Sequence, residues 1–171
     1  MLQQINLFDI QVHVRSCEEL TAEAESSILK LFEKSHPAFV AFSSGKDSSV
    51  IMNMTLSAAR KAKAMGLNPL VVVTSSDTLV ENPEIAANLR DDHARIKAYA
   101  KKHGLKVITR IVQPTLAQSF QLKILTGRGM PSYAGSNSDC STSLKIVPQV
   151  SARNAMFRQL KQAGMAEPVT I

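Results

Sequence analysis

Long apolar runs are missing from this chain: stretches such as Leu70 to Val73 fall far short of the roughly 18 residues that would span a bilayer. The N-terminus also lacks the basic-then-apolar pattern of a secretory signal, so a cytoplasmic location is expected. Cysteine is scarce. Cys17 and Cys140 lie far apart and form no CxxC pair, which argues against both a zinc knuckle and a disulfide framework; a cysteine that works here works as a thiol. Nor does the chain have the low hydrophobicity of a disordered segment, because 44% of it is apolar and 20% charged. At 171 residues it suits one α/β domain and is too short for two ordinary ones.

The charge leans one way, with 20 Lys and Arg against 14 Asp and Glu. A net charge of +6 favours polyanionic partners through counterion release. Much of the excess, however, falls at Arg60, Lys61 and Lys63 and at Lys101, Lys102 and Lys106, near the ends of expected helices. The helix dipole alone favours cations there, so a solvated face accounts for them.

Apolar spacing predicts a first helix over Thr21 to Ser35, stopped by His36-Pro37. Ala38 to Phe42 reads as a buried strand, and Ser48 to Met65 as a helix closed by Gly66. The unit then repeats: a strand over Leu70 to Thr74, a polar loop from Ser75 to Glu81, and a helix capped by Asn82 with Pro83 at its first position, running to His103. A third strand is predicted at Lys106 to Val112, a helix at Leu116 to Thr126, a loop at Gly127 to Asp139, and a last helix at Ser151 to Ala163. Alternating strands and helices imply a Rossmann-like, doubly wound α/β fold with a parallel sheet, whose ligands bind at the carboxyl ends of the strands.

The loop after the first strand is Ser43-Ser44-Gly45-Lys46-Asp47-Ser48-Ser49. It opens a helix, so backbone N–H groups and the helix dipole favour an anion there. Gly45 permits close backbone approach, Lys46 adds a mobile positive charge, and Ser43, Ser48 and Ser49 add hydroxyl donors, a set suited to a polyphosphate. The spacing is not that of a Walker A loop. Asp47 would repel phosphate unless it holds Mg²⁺ or stabilises the helix start.

This stretch resembles the SGGKDS signature of the PP-loop ATP pyrophosphatases, with Ser44 standing where the family usually has glycine. Three further stretches narrow the resemblance: Thr74 to Pro83, Gly127 to Pro131, and Asp139 to Pro148. Together they are similar to the ATP-pyrophosphatase subunit of DNA phosphorothioation systems (the DndC type), itself related to phosphoadenosine-phosphosulfate reductases. The similarity runs from about Ser35 to the end. It implies an adenine nucleotide alpha hydrolase-like domain over residues 21–171, after an N-terminal extension over 1–20. It also implies ATP with Mg²⁺ and activation of a DNA backbone phosphate by adenylation. A cysteine desulfurase as sulfur donor and the other phosphorothioation subunits would be partners.

On that resemblance Ser43, Gly45, Lys46, Asp47 and Ser48 hold the β- and γ-phosphates, with Ser44 and Ser49 also in the nucleotide-binding set, and Ser76, Asp77 and Thr78 flank the nucleotide or its metal. Asp47 and Asp77 are the candidate metal ligands, although Asp77 also reads as a turn residue. Lys46, Asp47, Asp77 and Cys140 are the candidate catalytic set. Cys140 precedes the Leu-Lys-Ile-x-Pro stretch, where it could carry a persulfide, ligate the family's iron–sulfur cluster or simply be buried. This chain has no cysteine after it to complete such a cluster, and Ser143 stands near the family's usual arginine. The chain also stops at a strand-like Val169-Thr170-Ile171, where the family continues. The sheet is therefore expected to be cut short, with apolar surface left to a partner. Two alternatives remain open: a sulfonucleotide reductase-like enzyme, and a non-catalytic nucleotide-binding module.

Overall fold

A computed structural model describes residues 15–127, 141–166 and 169–171. Helix α1 spans Cys17–Glu33 and begins earlier than apolar spacing alone predicts. The cause is a capping box: Glu19 N donates to the Ser16 hydroxyl while Ser16 N donates to the Glu19 carboxylate. Residues 17–20 therefore belong to α1. At its other end Ser35 adopts φ +62, and Ser35 N and His36 N donate back to Phe32 and Leu31 carbonyls, closing the helix as a Schellman turn.

Strand β1 (Ala38–Ala41) leads through the serine-rich loop into α2 (Lys46–Ala64). Strand β2 (Leu70–Ser76) leads into α3 (Pro83–His103), and β3 (Lys106–Val112) follows. Helix α3 starts as its sequence predicts: the Asn82 side chain accepts from Glu84 N with Pro83 just inside. Ser75 and Ser76, expected in a loop, instead extend β2, because their backbones pair with Ile111 and Val112 of β3.

The helix expected over Leu116 to Thr126 is split into a 3-10 turn (Leu116–Gln118) and α4 (Phe120–Leu125). Ser119 is extended between them and accepts from Leu122 N, so its capping preference breaks the helix. The last helix starts earlier than expected. A π-helical turn at Thr142–Ile146 runs directly into α5 (Val147–Gln162), with Pro148 just past the junction. Of the loop expected from Gly127 to Asp139, all but Gly127 lies outside the described residues, as does Cys140.

All four strands are parallel, in the order β3-β2-β1-β4, with β4 (Val169–Thr170) pairing with β1 through Val169 N to Pro37 O and Ile171 N to Phe39 O. One face buries Val40, Val71 and Val73 against α1, α2 and α3, through Phe32, Leu56 and Ile96. The opposite face buries Phe39 and Val72 against Met156 and Leu160 of α5. Helices thus cover both faces of the sheet centre. Val71, Val72 and Val73 are fully buried, each stabilising the fold by about 1.5–3 kcal/mol. Among the described strand residues, the exposed large apolar side chains are Ile108 and Ile111, on β3 rather than at the last strand. Chain order runs outward from β1 to β3, then returns to the far side of β1 for β4. The carboxyl end of β1 is therefore a topological switch point, the place where such sheets bind ligands.

Candidate functional site

The loop at that switch point holds its own shape. Ser43 N donates to Ser48 Oγ at 3.2 Å, the two hydroxyls lie 3.1 Å apart, and Ser48 Oγ donates to Gly45 O at 3.1 Å. Gly45 is the N-cap of α2, and no side chain caps the helix, so its first N–H groups are left for solvent or a ligand. Lys46 and Asp47 lie exposed in the first helical turn, with no hydrogen bond or ion pair among the described residues. Asp47 there faces the positive end of the helix dipole, a stabilising place for a carboxylate.

Ser44 is strained. Its φ is +59, a conformation glycine adopts at little cost, and its buried Oγ has no hydrogen-bond partner among the described residues. This is the one position where the loop departs from the signature it resembles. At Gly45 an added Cβ would come within 3.2 Å of Ser43 Oγ, so a side chain there would press on the loop.

The loop borders a cleft of about 550 Å³ over the carboxyl ends of β1 and β2, within the range of small-molecule sites. Ser43, Ser76, Asp77, Glu81, Lys145 and Gln149 are its polar lining, and Ile85, Leu89, Ile146 and Val150 form much of its apolar wall. Sequence reasoning brought Ser43, Ser76 and Asp77 to this place but missed the far wall. That wall is fastened by long-range bonds: Thr74 Oγ1 donates to Gln149 Oε1 at 2.5 Å, Ser76 Oγ donates to Lys145 O at 3.0 Å, and Lys145 Nζ pairs with Glu81 at 2.9 Å. The π-helical turn that carries Lys145 marks that wall, since such turns are frequent at functional sites, but the turn is visible only in the structure.

Asp77 is anchored twice: Oδ1 accepts from Leu79 N at 3.0 Å and Oδ2 from Gln113 Nε2 at 3.2 Å. The first bond is an Asx turn, and Leu79 follows in the left-handed region at φ +65. Each carboxylate oxygen keeps a second lone pair, so one cation contact remains open to it. Mg²⁺ takes only one or two protein carboxylates beside substrate phosphates, and Asp77 on the cleft wall fits that role. Among the described residues no three His, Cys, Asp or Glu side chains cluster as a ligand set.

Ser44, Gly45, Lys46, Asp47, Ser48, Ser49 and Thr78 are not among the residues lining the cleft, and Cys140 lies outside the described residues. Thr78 is buried, its hydroxyl accepting from Val80 N at 3.4 Å. Ser49 lines a different cavity, between α2 and α3. Cys17 is exposed on a groove with Glu25 and Lys61 that shares no residue with the cleft. Ser143 receives a hydrogen bond from Lys123 Nζ. Beneath the site, His93 of α3 lies 2.7 Å from Ser75 Oγ, and burial and the nearby Lys97 hold its pKa below the usual histidine value.

No helix among the described residues is long and apolar enough to cross a membrane. No protein-family model matches the chain, and no curated protein matches it.

Proposed function

We propose that this chain is a PP-loop ATP pyrophosphatase with an adenine nucleotide alpha hydrolase-like fold. The observation that carries the reading is the internally bonded Ser43 to Ser48 loop, which opens an uncapped 19-residue helix at the switch point of a parallel sheet, beside a cleft. A polyphosphate on that loop would meet the first N–H groups of α2, the Lys46 ammonium and the serine hydroxyls. An acceptor oxygen attacks the α-phosphorus of ATP, the bond from that phosphorus to the bridging oxygen breaks, and pyrophosphate leaves with the electron pair. Lys46 and the α2 N-terminus balance the charge gathering on pyrophosphate, while Ser76 and Asp77 line the nucleotide's side of the cleft. Mg²⁺, held by Asp77, would neutralise phosphate oxygens. The acceptor proposed is a DNA backbone phosphate, activated for sulfur transfer from a cysteine desulfurase, with Cys140 proposed as the working thiol.

A second reading has its own support. The strained Ser44 and the doubly bonded Asp77 also suit a module that binds a nucleotide without turning it over. Pyrophosphate release from ATP separates the two. Release that Lys46→Ala abolishes supports the enzyme, whereas ATP binding without any release leaves only the module.

A further inference from the structure

We infer that a second cavity, between α2 and α3, binds a single uncharged heteroaromatic ring of the nucleobase kind. The cavity measures about 290 Å³, at the small end of the roughly 300–1,000 Å³ seen for ligand sites, which suits one ring system and excludes a whole nucleotide. Its floor is apolar: Phe42, Met52, Leu56 and Ile96 are buried there. Tyr99 closes one side, its ring fixed by packing on His103 with centroids 4.3 Å apart. Aromatic faces and a thioether favour a flat, polarizable guest.

The rim says which guest. Asp92 and Arg95 pair at 3.3 Å, so their charges offset each other and the mouth attracts neither phosphate nor cation strongly. Ser49 and Asn53 supply the uncharged polar groups. The Asn53 carboxamide is exposed and has no hydrogen-bond partner among the described residues. It offers an acceptor beside two donors, the pattern that pairs bidentately with the adjacent donor and acceptor of adenine. The site does not depend on the proposed ATP reading, because Phe42 is the only residue it shares with the main cleft.

The test follows the Met52 methyl signal by NMR while adenosine or indole is added to the whole chain. Adenosine is expected to shift it saturably, in Lys46→Ala as in the parent, and Asn53→Ala should weaken adenosine about tenfold while sparing indole. Because Asn53 is exposed, that variant keeps its fold. A short oligodeoxyadenylate that binds more tightly than adenosine assigns the base to a single strand; equal or weaker binding assigns it to a free nucleoside. An unmoved Met52 signal overturns the inference. So does indole binding as tightly as adenosine with Asn53→Ala affecting neither, or loss of the adenosine shift in Lys46→Ala.

Discussion

The Ser75 hydroxyl and Nε2 of His93 meet at 2.7 Å in the interior, tying the carboxyl end of β2 to the middle of α3 directly under the cleft. Burial is the main cause of the lowered His93 pKa, Lys97 adds to it, and Asp92 opposes it. The unfolded chain therefore takes up a proton near the ordinary value of 6.5 while the folded chain still refuses it. Stability from this pair is present above that pH and is lost as pH falls below it. Stability should therefore decline as pH falls through this range, and His93→Gln should flatten the slope. Melting curves between neutral and mildly acid pH measure both; equal slopes in parent and variant would refute the assignment.

Ser35 occupies the left-handed position that Gly66, Gly104 and Gly164 take after other helices of this fold. Its side chain is exposed, so Ser35→Gly removes backbone strain of about 1–2 kcal/mol at little other cost, less about 0.5–1 kcal/mol of added unfolded-state freedom. A net gain of about 0.5–1 kcal/mol is expected in urea unfolding, with an unchanged m-value.

How far the sequence foretold these features depends on how local the cause was. Strand β3 and the start of α3 coincide with their predicted bounds because a β-branched run and an Asn82-Pro83 cap act within a few residues. The break at Ser119 and the early start of α1 are also local, but they rest on single capping side chains that apolar periodicity does not register. The cleft's far wall was illegible for a different reason. Thr74 with Gln149, and Glu81 with Lys145, are brought together only by the return of α5 across the sheet, and nothing in either segment announces the other.

Ser44 combines a left-handed backbone with a buried hydroxyl that has no partner among the described residues. Ser44→Gly relieves both, and the orphaned hydroxyl alone costs about 1–3 kcal/mol. After the entropic cost of glycine, a gain of about 1–4 kcal/mol is expected, each 1 kcal/mol raising the melting temperature by about 2–4 °C. The loop backbone would also be freer to approach a ligand, so pyrophosphate should bind more tightly by calorimetry. A variant less stable than the parent would mean that the serine side chain stabilises the loop in a way its lone hydroxyl does not suggest.

Lys46 and Asp77 separate binding from turnover. Lys46 is exposed and makes no bond among the described residues, so Lys46→Ala should leave the melting temperature unchanged. On the proposed reading it deletes a charge-assisted contact of about 1.5–3 kcal/mol, and ATP affinity should fall about tenfold or more. Asp77→Asn acts differently. Its amide oxygen can still accept from Leu79 N, but its nitrogen cannot accept from Gln113 Nε2, so a modest loss of stability is expected. Without the Asp77 carboxylate on the cleft wall, pyrophosphate release should fall far more than ATP affinity does. Calorimetry with ATP and a pyrophosphate assay on the same three proteins decide the matter. If Lys46→Ala binds ATP as the parent does, the phosphates do not sit on this loop. If Lys46→Ala fails to bind but Asp77→Asn releases pyrophosphate at the parent's rate, the loop assignment stands and the metal must be held without Asp77.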